Sequence, residues 1–427
     1  MLLAAFIFVI GLLLRMVLVL RAGAGYIDQL EPVHIALSLV RHGTFADAYG
    51  DGVGPTAHCM PLHPFIIAFI IREFGTGWAG SIALSAVSST AVSLGFALLP
   101  ILAARYGLGV ITGFAAGLAG ALLPIAFWVQ TSGVFDAPFT FLGLIVLALV
   151  FSRSKVPSLR DAAVIGITSG IVCLLNAAVL QVLFGWAILT AWHLRHDLRR
   201  FCCVMAMTGT MVLLVLSPWA VRNYLTFGKF IWTRSNFGLE LQVSNNPYAT
   251  ADLEKNVRTP AWSRLHPFSD KNEREKVRRM GEIAYQAGKK QQALTWISSH
   301  PAEFVKLTMN RVFLFWFPRM QRPGQTLAQA IMTALAFCGL LILPRRHPFK
   351  LLTGLMLLTY PVVYYLIQVS GRYRFPVEFL FLLLGAHFLV TRRPVAALLE
   401  PVSRLLEWSR PQPAAIAQLH RRLREPM

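Results

Sequence analysis

Long, nearly uninterrupted apolar runs alternate with short basic stretches along this chain. LLAAFIFVIGLLL, WAGSIALSAVSSTAVSLGFALLPILAA and LLTGLMLLTYPVVYYLIQV are runs long enough to cross a ~30 Å hydrocarbon core as helices. They are continuous, not alternating in segments of ~10 residues as a membrane β-barrel requires. The pattern predicts an all-α polytopic membrane protein with ten spans, near residues 1–20, 79–104, 108–128, 136–151, 162–176, 178–192, 201–219, 326–343, 349–369 and 375–391. The pair at 162–176 and 178–192 is shorter than a ~20-residue span. It is predicted because SRSKVPSLRD and HLRHDLRR are both basic and should share the cytoplasmic side, which takes two crossings between them. The same rule places LPRRHPFK, TRRP and both termini in the cytoplasm. The first run has no Lys or Arg ahead of it and carries Arg15 within it, so it is expected to be a retained span rather than a cleaved signal.

Two large segments then fall on the external face, 21–78 and 220–325. In the first, PLHPFIIAFIIREFG is too short to cross and begins at prolines, so it is expected to lie along the membrane surface. The second contains DKNEREKVRRMGEIAYQAGKKQQALTWISSHPAEFVKLTMNRVFLFW, whose periodicity predicts helices packed on the membrane domain. Residues 1–391 form the expected membrane-embedded domain and 392–427 a basic cytoplasmic tail, amphipathic and held by anionic lipid.

Composition changes little in this picture. The chain is 56% hydrophobic and carries a net charge of +20; the charge is explained by basic cytoplasmic loops and not by nucleic-acid binding, for which no motif is present. Of five cysteines only Cys59 lies outside an apolar run, so no disulfide framework is available beyond the bilayer. No Cys-x-x-Cys pattern supports a thiolate zinc site.

Four external constellations can carry chemistry. Asp28 and Glu31, with His34, open GYIDQLEPVHIALSLVRHG, where two acids a turn apart would share one face of a helix or simply favour its N-terminus. Asp136 lies in QTSGVFDAPFTF at the external mouth of the fourth span, an expensive place for an acid without a function or a partner. Arg222 and Asn223 follow the seventh span in SPWAVRNYLTFGKF, and Arg372, Tyr373 and Arg374 form GRYRFPVEF outside the ninth. Arginine offers forked donors that match phosphate oxygens, although arginines at a span end also serve as snorkelling anchors. His58 and His63 in HCMPLHP offer imidazoles to a metal, but loop packing explains them equally. No G-x-G-x-x-G, Walker A or D-x-D sequence occurs, so an activated donor is expected to arrive through the membrane.

In their order and placement, the acid after span one followed by IA and RHGTF, GPTAHCMPLHP, FDAPFTF, SPWAVRNYLTFGKF…SNNPYA, WISSHPAEFVKL before FWF, and GRYRFPVEF together resemble a known family. The chain, to about Val390, is similar to the multi-spanning C-type glycosyltransferases that use polyprenyl-phosphate-linked sugars, a group including aminoarabinose transferases and protein-mannosyltransferase-like enzymes. The resemblance implies a catalytic acid at Asp28, a second acid at Asp136, and lipid-phosphate binding at Arg372, Tyr373 and Arg374, with Arg222 and His63 as further candidates. Many members carry a second acid directly after the first; here Gln29 stands there and Glu31 follows, which gives Glu31 a supporting role and leaves a divalent metal open, with no other cofactor expected. The implied activity is inverting transfer from a polyprenyl-phosphate sugar to a glycan, lipid or protein acceptor, with Asp28 as general base. The implied setting is the periplasmic face of a bacterial inner membrane. A polytopic lipid or glycolipid transporter or flippase is the alternative, and a lipid-linked-glycan scaffold a third reading.

Overall fold

The computed structural model describes every residue except 1, 24, 124–125, 154–155, 321 and 393–427, so the predicted tail lies outside the described residues beyond Arg392. All regular elements among the described residues are helices: α1 (Leu2–Ala22), α2 (Glu31–His42), α3 (Leu62–Phe74), α4 (Trp78–Arg105), α5 (Val110–Leu122), α6 (Phe127–Thr131), α7 (Ala137–Phe151), α8 (Leu159–Cys173), α9 (Val179–His193), α10 (Leu198–Phe227), α11 (Phe237–Ser244), α12 (Leu253–Asn256), α13 (Pro260–Ser263), α14 (Lys271–Met280), α15 (Glu282–Ser299), α16 (Pro301–Trp316), α17 (Pro323–Ile342), α18 (Pro348–Thr359), α19 (Val362–Leu366), α20 (Gly371–Arg374) and, after a 3₁₀ turn at Phe375–Val377, α21 (Glu378–Val390).

Six stretches among the described residues are long and apolar enough to cross a membrane: Leu2–Ala22, Trp78–Arg105, Leu198–Phe227, Pro323–Ile342, Pro348–Leu366 and Gly371–Val390. Each coincides with a predicted span. The other four predicted spans fall on α5, α7, α8 and α9, helices of 13, 15, 15 and 15 residues. At 1.5 Å per residue these reach only about 20–22 Å, short of a ~30 Å core. The structure therefore carries a polytopic α fold, while ten crossings remain an expectation resting on those four short helices.

The bundle closes where small residues let backbones approach, as membrane helices require. A Cβ on Gly113 of α5 would lie 2.5 Å from Leu99 O of α4, and one on Gly339 of α17 2.1 Å from Leu384 O of α21. Arg15, midway along α1, is fully buried. Its Nη1 donates to Gly11 O (3.0 Å) and Ala121 O (3.2 Å), its Nη2 to Gly120 O (3.0 Å) and Gln130 Oε1 (2.6 Å), and its Nε to Gln130 Oε1 (3.0 Å). Gly120 and Ala121 are in the last turn of α5, where carbonyls have no helical partner, so the charge is held by dipoles the chain break has left available.

Outside the span helices, α3 buries Ile67, Ile70 and Ile71 and leaves Phe65, Phe69 and Phe74 exposed. The segment before it is stapled to the one after α10. Glu282, at the start of α15, accepts from Thr56 Oγ1, from the Ala57 N–H (2.7 Å) and from Ser235 Oγ (2.5 Å). Arg222 donates to Thr56 O (2.7 Å) and Phe45 O (2.5 Å). Polar contacts of this kind, buried and satisfied, fix geometry where apolar packing alone would slide.

Candidate active site

The stapled segments, the turn before α7, the break between α8 and α9 and the stretch from α19 to α20 surround a cavity of about 1060 Å³. Helix starts and helix breaks position most of its chemistry. Glu31 is the first residue of α2, ahead of Pro32, and lines the cavity. The expected sharing of a helical face with Asp28 does not occur: α2 begins only at Glu31, and Leu30 before it is extended (φ −104°, ψ 170°). Asp28 therefore precedes the helix, is exposed, and is not part of the cavity lining. Burial pushes the Glu31 carboxyl above the usual carboxylate range, opposed by its own backbone hydrogen bond and by the Arg372 charge.

Asp136 stands at the N-terminus of α7 and lines the same cavity. Its Oδ2 accepts from Asn176 Nδ2 at 2.9 Å, and Asn176 Oδ1 in turn accepts from the Ala178 N–H at 3.0 Å. Asn176 reaches it because the chain breaks helix between Cys173 and Val179; the polar residue in an apolar run is explained by that break.

The Arg-Tyr-Arg sequence divides. Arg372 and Tyr373 line the cavity. The Arg372 guanidinium lies over the rings of Phe135 (5.0 Å) and Tyr373 (4.9 Å), donates from Nη2 to Tyr373 Oη at 2.8 Å, and leaves Nε buried without a partner among the described residues. Arg374 points into the bundle instead. Its Nε donates to Glu378 Oε2 (3.1 Å), Nη1 donates to Trp316 O, and the group lies 3.9 Å from the centre of the Phe381 ring. Two positions apart on helical backbone do not face the same way, so one arginine is committed to the scaffold and the other to the cavity. Arg222 likewise staples loops and does not line the cavity, whereas His63 does, with a ring nitrogen 2.9 Å from Gly133 O.

Two residues of the cavity lining, Arg234 and Glu240, and one behind it, His266, escape sequence reasoning. Arg234, in IWTRSNFG after α10, lines the cavity and makes no hydrogen bond among the described residues. Burial works against its charge, but Tyr364, Asp136 and Glu240 outweigh it and raise its pKa. Glu240, three residues into α11, is raised by burial and opposed by Arg234 and Arg372. His266, in the loop after α13, places its Nε2 3.8 Å from Glu31 Oε1. Only a cation close behind the SPWAVRNYLTFGKF motif signalled any of them.

The cavity thus faces carboxylates (Glu31, Asp136, Glu240) with arginines (Arg234, Arg372), among the aromatic walls of Trp128, Trp262, Phe268 and Tyr364. No three His, Cys, Asp or Glu side chains come together as a metal site among the described residues. Asp28, where the resemblance would set a metal carboxylate, faces solvent, and His58 is engaged by Tyr49 Oη at 2.9 Å.

No protein-family model and no curated protein matches the chain. Among solved structures it is similar to the archaeal oligosaccharyltransferase AglB from Archaeoglobus fulgidus in complex with an inhibitory peptide and a dolichol-phosphate (TM-score 0.52, 13% identity, 95% of this chain and 51% of that one). It is similar also to the Archaeoglobus fulgidus oligosaccharyltransferase in complex with Zn and sulfate (TM-score 0.51, 14% identity, 96% and 52%) and in the apo form (TM-score 0.51, 13% identity, 95% and 51%). The chain therefore shares a helical fold, over nearly its whole length, with about half the length of these oligosaccharyltransferase chains.

Proposed function

We propose that the chain is a membrane glycosyltransferase that moves a sugar from a polyprenyl-phosphate donor to an acceptor hydroxyl on the external, periplasmic face. The observation that carries this reading is the cavity in which Glu31 and Asp136 face Arg372 and Arg234. It is supported by the fold shared with an oligosaccharyltransferase whose structure contains a dolichol-phosphate. A base beside an acceptor and cations beside a leaving phosphate are the two groups that such a transfer needs.

The reaction is a single displacement. A carboxylate takes the acceptor hydroxyl's proton while its oxygen bonds to the anomeric carbon. The bond from that carbon to the phosphate oxygen breaks, and its electron pair leaves with the polyprenyl phosphate. Arg372, held between two rings with Nε uncommitted, and Arg234 receive that charge. One displacement inverts the anomeric configuration. Glu31 is the base that the geometry favours, since it lines the cavity and burial raises its pKa toward the working range of a general base. Asp28, the base implied by the resemblance, would have to turn inward from an exposed position. Asp136, oriented by Asn176, positions the acceptor.

Incubating the purified protein with a labelled polyprenyl-phosphate sugar and a mixture of envelope glycolipid and peptide acceptors tests the reading. Release of unlabelled polyprenyl phosphate with label on an acceptor is expected. Donor that is bound or moved across a vesicle membrane without cleavage would replace this reading with the transporter one.

A further inference from the structure

Behind the cavity wall, against the lining residues Trp262 and Phe268, lies a buried group that the displacement leaves unused. His266 is 1% exposed. Its ring lies flat on Trp262, with centroids 3.9 Å apart and 5° between the planes, and edge-on to Tyr49 at 5.8 Å. The Phe268 N–H donates to its Nδ1 at 3.2 Å. Nδ1 is thus an acceptor, and the ring proton of the neutral imidazole sits on Nε2. That nitrogen is buried without a hydrogen-bond partner among the described residues, an arrangement that is costly unless something completes it. The carboxylate it faces is Glu31, with Oε1 3.8 Å away.

We propose that His266 is a positioning residue for Glu31: its Nε2–H closes onto Oε1 and holds the carboxylate so that the other oxygen faces the acceptor. Hydrogen bonds of catalytic groups are often long in the free enzyme and shorten when substrate is bound. What Glu31 does in transfer rests on the proposed function, but the pairing itself does not. Burial, helped by His58 and Lys289, holds His266 well below its ordinary pKa, so the group acts as a neutral donor rather than a counter-ion. Arg372 and Glu240 face Glu31 from the other walls, and Tyr49 and Cys59 also feel its charge. These four stay in place in the variants below.

The test uses the whole chain in detergent. Infrared titration follows the carboxyl band lost in Glu31→Gln, in the unmodified protein, in His266→Phe, which keeps a ring on Trp262 without the donor, and in His266→Gln, which restores an N–H. Loss of a charge-assisted hydrogen bond should raise the Glu31 pKa by about one unit in His266→Phe, and His266→Gln should recover most of it. The transfer rate should fall about tenfold in His266→Phe with donor KM changed less than twofold, because position and not binding is lost. An unchanged Glu31 titration in both variants overturns the proposal. Should His266→Phe fail to fold, selective ¹⁵N-histidine NMR on the unmodified ring decides. The Nε2–H resonance should move downfield as Glu31 deprotonates and stay put in Glu31→Ala; insensitivity to Glu31 overturns the pairing. A shifted titration in a protein that transfers no sugar would sustain the pairing and remove the transferase reading.

Discussion

Arg15 and Arg372 are the same residue set among apolar side chains, one inside the helix bundle and one at the cavity wall. Around Arg15, all three guanidinium nitrogens donate to Gly11, Gly120, Ala121 or Gln130. Around Arg372, two aromatic faces hold the group flat, Tyr373 takes one donor, and Nε is left over. Burying a charge is expensive in either place. In the bundle the cost is met by protein carbonyls, and nothing remains for a ligand. At the cavity part of the donor set is held in reserve. Position separates Arg372 from Arg374: Arg374 also keeps an unpartnered Nη2 among the described residues, but it is held inside the bundle by Glu378 and Trp316 and does not line the cavity.

The largest test of that contrast concerns the cavity's acid. Glu31→Gln should lower transfer by about 10²–10⁴-fold, the usual weight of general-base catalysis, with the folded yield unchanged. In the unmodified protein the rate should fall as pH drops through a pKa above the ordinary carboxylate range, since a base must be deprotonated to accept and burial raises Glu31. A pH–rate profile with its acid limb at the ordinary carboxylate value would place the base elsewhere.

Arg15→Met should act in the opposite sense. It removes the Arg15 donors from Gln130 Oε1 and from the Gly120 and Ala121 carbonyls at the end of α5, and should destabilise the protein by about 1–3 kcal/mol for each buried carbonyl that loses its bond. Thermal unfolding in detergent should show this while donor affinity per folded molecule stays the same. A loss of donor affinity with unchanged unfolding would mean that the bundle arginine is also a ligand.

Arg372→Lys keeps charge but loses the fork and the flat stacking surface. Donor affinity should fall about tenfold or somewhat more, the equivalent of one charge-assisted hydrogen bond, with little change in unfolding. Arg374→Lys should show the reverse pattern. Equal effects of both on donor affinity would return the two arginines to a single phosphate site.

The smallest effect is expected at Asp28, which is exposed. Asp28→Asn should change transfer by about twofold or less, as exposed substitutions do. Loss on the scale expected of Glu31→Gln would show that residues before α2 fold inward during turnover and that the acid implied by the family resemblance is the working one.

Most of the helical framework was legible because hydropathy reports burial in lipid directly: the six long apolar helices fall on predicted spans. α8 and α9 were placed by loop charge alone, and their shortness, 15 residues each, appears in the structure as well. The grouping of the candidate site residues was legible in part. Glu31, Asp136, His63, Arg372 and Tyr373 do line one cavity, since each stands beside a helix end where a polar residue is conspicuous. Asp28 was misjudged as a helical neighbour of Glu31 because the start of α2 was read a turn early; Leu30 has the extended backbone of a residue before a helix. Arg234, Glu240 and His266 lie in a long segment of ordinary composition, where polar residues carry little signal and only tertiary folding brings Arg234 and Glu240 to the cavity and His266 to Glu31.

The staple from Glu282 to Thr56 joins residues 226 positions apart, and the cavity's walls run from Glu31 through Asp136 and Arg234 to Arg372. A chain that enters a membrane from its N-terminus makes the first wall early and the last only when synthesis is nearly complete. Until Glu282 has emerged, Thr56 and Ala57 lack their acceptor, and until Arg372 has emerged Glu31 and Glu240 lack its charge. A partly made chain therefore has spans but no enclosed site. Ribosome-bound intermediates ending before residue 372 should be inserted yet unable to hold a lipid phosphate there.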